Sequence, residues 1–179
     1  MLDTKRITVI DVETSNIGKG NPFISKNFLV SFCALDVVGG DPKSYFHHFF
    51  DPRYSNVPCD MFIPGLNEFF EILFAEDRLI VGHNLKFDLH WLHKYGWVAK
   101  GKLWDTLNGA FALRKDPKQS LTLQQLTGSK NVLGELLVHK HEVSPLDIPA
   151  SWLIAYGLKD VKATYKLFLQ QQKTMLGSI

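Results

Sequence analysis

The amino-acid sequence predicts an α/β domain built on one mixed β-sheet that is flanked by helices. Three strand patterns follow one another within the first 50 residues, with no helical pattern between them, which indicates an antiparallel meander. From residue 64 onward, helical and strand patterns alternate before the chain ends in helices, which is typical of parallel strands joined by helices. We therefore expect strands 1–3 to be antiparallel and strands 4 and 5 to be parallel, in a single domain over residues 1–179.

The predicted strands are runs of β-branched and aromatic residues that are bounded by turn residues. Gly39-Gly40-Asp41-Pro42 separates the second strand from the third and is a strong turn signal. The five predicted strands are 6–12, 27–38, 44–50, 78–83 and 102–104.

The predicted helices carry apolar residues three and four positions apart. Pro64 suits a first helical turn, Gly96 ends the second helix, and Asp105 with Thr106 caps the third. The six predicted helices are 64–77, 86–96, 107–114, 120–128, 132–140 and about 151–174.

Composition restricts the classes of function that are open to this chain. Its 179 residues are 45% apolar and 21% charged, as is usual for a globular domain that buries a core. The net charge of +2 is too small for general attraction to polyanions, so any nucleic-acid contact must come from a local site. No signal-peptide pattern or membrane-length apolar run is present, so we expect no membrane contact and a cytoplasmic protein, in the host cytoplasm if a phage encodes it.

Four acidic residues stand where the predicted elements can bring them together. Asp11 and Glu13 are two residues apart on the first strand, so both point to one face of the sheet. Asp88 lies one turn into the helix that follows the fourth strand, at the sheet edge where α/β proteins bind ligands. On the last helix, Tyr156 and Asp160 are four residues apart and share a face.

Convergence of Asp11, Glu13, Asp88 and Asp160 would supply the carboxylate oxygens that Mg²⁺ or Mn²⁺ prefers. Two such ions about 3.5–4 Å apart can stabilise the attacking and leaving oxygens of a displacement at phosphorus. Asp11, as the most central acid, is the natural bridging ligand. Bound cations would also explain why like charges are tolerated side by side on an apolar strand.

These segments resemble the DEDD (DnaQ-like) 3′→5′ exonucleases, which have the ribonuclease H-like fold. The family's Asp-x-Glu motif is matched at 11–13, its Asn-x-x-Tyr/Phe-Asp motif at 84–88, and its Tyr-x-x-x-Asp motif at 156–160. The runs VGHNLKFDLHWLHKYG, LWDT and SLTLQQL are similar to the proofreading exonuclease domain of family A (polymerase I-type) DNA polymerases. The likeness extends in order from Ile7 to about Leu169. The histidine variant of the family needs His at the position of Ala155, so the chain resembles the tyrosine subtype.

The resemblance implies a two-metal exonuclease that hydrolyses DNA from single-stranded or frayed 3′ ends to nucleoside 5′-monophosphates. Asp11, Glu13, Asp88 and Asp160 would bind two Mg²⁺ or Mn²⁺ ions, and Tyr156 would position the attacking water.

Four further positions match residues that contact substrate in the family. Thr14 and Asn84 would contact the terminal nucleotide, and Ile17 would insert between the last two bases. Phe87 replaces a frequent tyrosine, which keeps the ring and loses a hydroxyl group.

Several alternatives remain open from the sequence. The protein would act alone or as the proofreading part of a replication system, with a DNA polymerase or another replication protein as partner. A ribonuclease D-like RNA exonuclease uses the same motifs, and a non-catalytic nucleic-acid-binding module can share the fold. Asn84 and Asp105 are also explained as helix caps. A zinc site would need His90 with His93, or His139, His141 and Glu142, and neither set has a convincing complement of ligands.

Overall fold

The structure, a computed structural model, describes residues 5–15, 21–54, 65–128 and 148–177. Several predictions lie outside these residues. They are the base contact of Ile17, the placement of Pro64, the helix at 132–140, and the zinc alternative at His139, His141 and Glu142.

The predicted mixed sheet is confirmed, with five strands in the spatial order β3-β2-β1-β4-β5. Strands β1, β2 and β3 form the antiparallel meander, and β4 and β5 run parallel to β1. The strands are β1 (Arg6–Thr14), β2 (Leu29–Val38), β3 (Asp41–Phe49), β4 (Leu79–Gly82) and β5 (Lys102–Asp105).

Five α-helices and one 3₁₀ turn over Pro52–Tyr54 complete the described fold. The helices are α1 (Leu66–Leu73), α2 (Leu85–Lys94), α3 (Thr106–Leu113), α4 (Leu123–Thr127) and α5 (Ala150–Leu176). In the described part of the chain, no helix is both long enough and apolar enough to cross a membrane.

The turn between β2 and β3 is shorter than the sequence pattern indicates. Gly39 and Gly40 alone form it, with φ values of 65° and 90°, and Asp41 already pairs with Val38. Two central residues with positive φ match the twist of a hairpin, and glycine adopts them without a side-chain clash. Pro42 is tolerated in β3 because this strand lies at the edge of the sheet, where a missing N–H need not break a ladder bond.

The two faces of the sheet carry different helices, because alternate residues of β1 point in opposite directions. Ile10 and Val12 pack with Trp91 of α2 in one core cluster, which also includes α1. Val9 packs with Val161 of α5 in a second cluster on the other face. Asp11 and Glu13 have the same parity as Val9, so they point to the face that α5 covers.

One buried side chain near the C-terminal end of α5 holds this helix to β5 and to the start of α3. Gln171 is 3% exposed, and its Nε2 donates to the carbonyl of Thr106 at 2.7 Å, while its Oε1 accepts from Trp104 Nε1 at 3.0 Å. The apolar residues Tyr165 and Phe168, which precede Gln171 on α5, pack in the second core cluster. The helix therefore crosses the sheet in a fixed position, with its N-terminal half over the carboxyl end of β1.

Candidate active site

Asp11 and Glu13 lie near the carboxyl end of β1, which continues two residues further than predicted. Both are half-buried, and Asp11 pairs across the sheet with Cys33 of β2. The pairing with β2 shifts between Glu13 and Thr14, which marks a bulge at the end of the strand. Bulges are frequent beside active sites because they redirect side chains.

Asp88 reaches this strand end from α2 and is only 4% exposed. Its Oδ1 accepts a hydrogen bond from the backbone N–H of Val12 at 3.0 Å. Val12 lies between Asp11 and Glu13 and beyond the last residue of β1 that pairs with β4, which is Val9. The carboxylate therefore takes the place of a missing strand partner, and α2 is fixed to β1 at the point where the acids stand.

Tyr156 and Asp160 reach the same place from α5, where the Tyr156 hydroxyl is hydrogen-bonded to the Asp160 carboxyl group. Asp160 is 6% exposed. Gly157, which follows the tyrosine, allows the helix to approach the sheet closely. A Cβ atom there would stand 2.8 Å from Cys33 Sγ and 3.1 Å from the Tyr45 hydroxyl.

We call Asp11, Glu13, Asp88 and Asp160 the acid cluster, because their electrostatic coupling shows their proximity. Burial and then the charge of Asp160 raise the pKa of Asp11 from 3.8 to about 8. Burial, then Asp11 and Asp160, raise the pKa of Glu13 well above 4.5.

The two helix-borne acids experience the same effects. Burial and then Asp11 raise the pKa of Asp88, with a partial offset from two backbone N–H groups. Burial also raises the pKa of Asp160, and the Tyr156 hydroxyl and the charge of Lys159 offset part of this rise.

The Tyr156 phenol remains protonated in this environment. Burial and then the charge of Asp160 raise its pKa well above the usual value of 10, and Glu13 and Asp11 add to the rise. The hydroxyl can therefore donate or accept hydrogen bonds, but it is a poor source of a phenolate base near neutral pH.

One oxygen of the acid cluster fits a cation in particular. Asp11 Oδ2 is buried and has no hydrogen-bond partner, and such a group is costly unless something pairs with it. Within the described ranges, however, no three His, Cys, Asp or Glu side chains are arranged so that they could hold a metal ion by themselves. Mg²⁺ does not need such a cage, since it binds through one or two carboxylates together with waters and substrate phosphate oxygens.

The proposed substrate contacts occupy different surroundings. Asn84 precedes α2 in a left-handed conformation, with φ 62° and ψ 42°, and is the one non-glycine residue of the described segments with positive φ. The alternative that its side chain caps α2 is wrong, because no capping hydrogen bond forms and the residue is exposed. Thr14 ends β1 and is half-buried. Phe87 is partly buried and packs against the core cluster below α2, so its contact with a nucleotide stays a prediction.

Asp105 caps α3, as the sequence predicts, and also holds the loop before α2. Its Oδ1 accepts from Leu107 N at 2.9 Å and from Asn84 N at 3.0 Å. The second bond has no signal in the sequence, because it joins the end of β5 to the loop after β4, and only the sheet brings these together. It stabilises the unusual backbone of Asn84 and so fixes the start of the helix that carries Asp88.

Sequence reasoning also misses the contacts that two residues make beneath α5. Cys33 is buried, as predicted, and its Sγ lies 3.5 Å from the carbonyl oxygen of Asp11. The Tyr45 hydroxyl donates to the carbonyl of Ile154 at 3.0 Å. These residues support the turn of α5 that carries Tyr156, whereas His90 and His93 lie exposed on α2.

The fold has a counterpart among solved structures. No protein-family model matches the chain, and no curated protein matches it. The chain is similar to the POL domain of Pol1 from M. smegmatis, described in complex with DNA primer-template and dNTP, at 13% identity and a TM-score of 0.56. The match covers 96% of this chain and 24% of the other, so the chain spans about a quarter of that protein.

A similarity at this identity concerns the fold. The chain therefore has a ribonuclease H-like mixed α/β fold that is shared with part of a DNA polymerase chain. The activity has to be argued from the residues at the carboxyl end of β1.

Proposed function

We propose that this protein is a metal-dependent 3′→5′ exonuclease that hydrolyses single-stranded or frayed DNA 3′ ends to nucleoside 5′-monophosphates. The observation that supports this most strongly is the convergence of the acid cluster and Tyr156 from β1, α2 and α5. A cluster of buried acids that raise one another's pKa values is costly to the fold, and such clusters occur where a function requires them.

The donor set suits Mg²⁺ or Mn²⁺, which two or more members of the acid cluster would hold. Asp11 is central, since it is coupled to Asp160 and to Asp88 and carries the unpartnered buried oxygen. When bound, these ions supply Lewis acidity and neutralise charge during displacement at phosphorus.

The residues of this chain have distinct parts in the proposed reaction. A water oxygen forms a bond to the phosphorus of the terminal nucleotide, and the bond from phosphorus to the 3′ oxygen of the preceding nucleotide breaks. The water loses a proton, and the departing 3′ oxygen gains one, which leaves a 3′ hydroxyl and a free 5′-monophosphate. Tyr156 orients the water through its protonated hydroxyl, which Asp160 holds in place. The exposed amide of Asn84 is available to the terminal nucleotide.

The test is digestion of a 5′-labelled single-stranded oligodeoxynucleotide with Mg²⁺ or Mn²⁺, compared with EDTA. We expect a ladder that shortens from the 3′ end and needs the metal. Asp11→Ala and Asp160→Ala should each reduce the rate by at least about a hundredfold, because each removes charge that faces the reacting phosphate. Glu76→Gln, at an exposed acid remote from the cluster in sequence, is the matched control and should retain the rate.

Three results would contradict the proposal. Wild-type rates in both alanine variants would refute the assignment of the acid cluster. Binding of DNA without any metal-dependent hydrolysis would favour the non-catalytic module. Faster digestion of a matched RNA oligomer would replace DNA by RNA as the substrate and favour a ribonuclease D-like activity.

A DNA polymerase or another replication protein is the partner that a proofreading role would require.

A further inference from the structure

The segment after β1 presents an exposed aromatic ring. Phe23 lies in the loop of residues 21–28, which we call the Phe23 loop, and its side chain is 83% exposed. This is the largest exposed fraction among the large hydrophobic residues that the structure describes. The loop precedes β2, and its last two residues are hydrogen-bonded to Ser15, directly after β1, so it lies at the edge of the sheet where the acid-bearing strand ends.

Hydrogen bonds hold the Phe23 loop in one conformation. The N–H of Phe23 donates to Asn21 Oδ1 at 2.9 Å, and Asn27 Nδ2 donates to the carbonyl of Asn21 at 2.9 Å. Ser15, directly after β1, donates its hydroxyl to Asn27 Oδ1 at 3.0 Å. Lys94 of α2 donates to the carbonyl of residue 22 at 3.1 Å. The exposed ring therefore stands on a preorganised loop, so a ligand that packs on it loses little entropy in ordering the loop.

A groove runs from this ring along the outer side of α2. A cavity of about 530 Å³ is lined by Phe23, His93 and Lys94, and a neighbouring one of about 400 Å³ by Lys86, Leu103 and Asn108. His90 lines both cavities, and its ring meets the Phe23 ring edge to face at 5.9 Å between centroids. The two cavities therefore lie next to each other along α2, and together they are the groove.

One end of the groove lies beside Asn84, the proposed contact of the terminal nucleotide. Its second cavity reaches Leu85 and Asp105, next to Asn84, and the first turn of α2 carries Asp88.

The charges of the groove suit a polyanion. Lys86 and Lys94 line it together with two histidines, and the one acid among its described lining residues is Asp105. The Oδ1 of Asp105 already accepts two backbone N–H bonds. Exposed cations beside a rigid aromatic ring are the elements from which single-strand binding surfaces are built.

We infer that this groove binds the part of a DNA single strand that precedes the terminal nucleotides, with one base stacked on Phe23. The phosphates lie against Lys86 and the histidines of α2. The inference rests on the proposed function, which places the 3′ end of the strand at the acid cluster. Stacking of a base on Phe23 makes longer single strands bind more tightly than very short ones.

The test measures binding separately from hydrolysis. Competition binding is measured by fluorescence anisotropy in EDTA, with unlabelled oligothymidylates of two nucleotides and of about eight, a length within the range of single-strand binding folds. Phe23→Ala should weaken binding of the longer strand by about fivefold to 150-fold, the range carried by one stacked base, and leave the dinucleotide unchanged. Phe23→Trp should retain or strengthen binding. Ile72→Ala removes another exposed apolar side chain, on α1, and is the control.

The salt dependence identifies the phosphate contact. In Lys86→Ala, the slope of log affinity against log salt concentration should become shallower by about 0.7, the value for one phosphate of a single strand. With Mg²⁺ present, Phe23→Ala should raise KM for the longer strand and leave kcat unchanged, because the stacked base is remote from the reacting phosphate.

The inference fails if Phe23→Ala binds the longer strand as tightly as the wild type does, or if the dinucleotide loses affinity by the same factor. It also fails if a matched oligouridylate binds more tightly with the same dependence on Phe23, since the strand would then be RNA. A protein that binds the longer strand through Phe23 but never hydrolyses it would support the groove and refute the exonuclease proposal, so the two failures are distinguishable.

Discussion

Replacing Asp11 by asparagine removes one negative charge from the acid cluster and keeps the size of the side chain. The folded-state pKa of Asp11 is raised above its unfolded value. The fold is therefore more stable below about pH 4 than near pH 8, and this extra stability is lost as the pH rises towards about 8. In the absence of metal, the wild type should therefore lose stability over this range because of Asp11. Asparagine carries no charge at any pH, so Asp11→Asn should stabilise the metal-free fold increasingly as the pH rises.

The magnitude follows from the pKa of Asp11. A rise from 3.8 to about 8, at about 1.4 kcal/mol for each pKa unit, costs the fold at most about 6 kcal/mol once the pH exceeds about 8. Glu13, Asp88 and Asp160 share the repulsion, and one of them can take up a proton instead, so we expect about 2–3 kcal/mol. For a chain of this length, that gain corresponds to an increase in Tm of about 5–10 °C.

The assay is thermal unfolding in EDTA and in Mn²⁺ at several pH values, with Glu76→Gln as the control for loss of a surface charge. In EDTA, the difference in Tm between Asp11→Asn and the wild type should grow with pH. Mn²⁺ should raise the Tm of the wild type more than that of the variant, because binding to the folded state stabilises it. An unchanged or lower Tm of Asp11→Asn in EDTA at about pH 8, or an equal response to Mn²⁺, would refute the reasoning.

Three further predictions concern the surroundings of the acid cluster. Tyr156→Phe should slow single-turnover hydrolysis by about tenfold to a hundredfold, because the attacking water is no longer oriented, while the Tm increase caused by Mn²⁺ persists; an unchanged rate would remove the hydroxyl from the mechanism. Gly157→Ala should lower the free energy of unfolding in urea by about 1–3 kcal/mol, because the added methyl group overpacks against Cys33 and Tyr45. Cys33→Ala in the same chain should restore part of this loss. Equal stability of the wild type, the single variant and the double variant would show that α5 can shift freely. Burial and then the charge of His48 lower the pKa of His47 from 6.5 to about 4, so the unfolded state binds more protons as the pH falls below 6.5. The contribution of His47 to stability should therefore fall by about 2 kcal/mol between about pH 7 and pH 5, so His47→Gln should gain stability relative to the wild type as the pH falls through this range in urea titrations.

The strand and helix order was predictable because each element repeats a local pattern. The alternation of apolar residues in β1 also placed Asp11 and Glu13 on one face, and the spacing of Tyr156 and Asp160 placed them on one side of α5. Element ends were less predictable. The strand β1 extends to Thr14 because β2 continues to pair with it, and β3 starts at Asp41 because two glycines suffice for the turn.

The contacts that assemble the candidate site were not predictable in the same way. The bond from Val12 N to Asp88 joins residues 76 positions apart, and that from Asn84 N to Asp105 joins residues 21 apart. Neither pair shares a local pattern, because each bond forms only where a strand ends without a partner or where two parallel strands end side by side. The left-handed backbone of Asn84 follows from the second of these contacts.

The sequence by itself determined which acids are present, which of them share a strand or a helix face, and that the chain forms a mixed α/β sheet. The tertiary structure alone decided that α5 covers the face to which Asp11 and Glu13 point, and that Gly157 lets it approach Cys33 closely. The physical reason is that local periodicity fixes the direction of a side chain relative to its own element. The distance between side chains on different elements depends on how those elements pack.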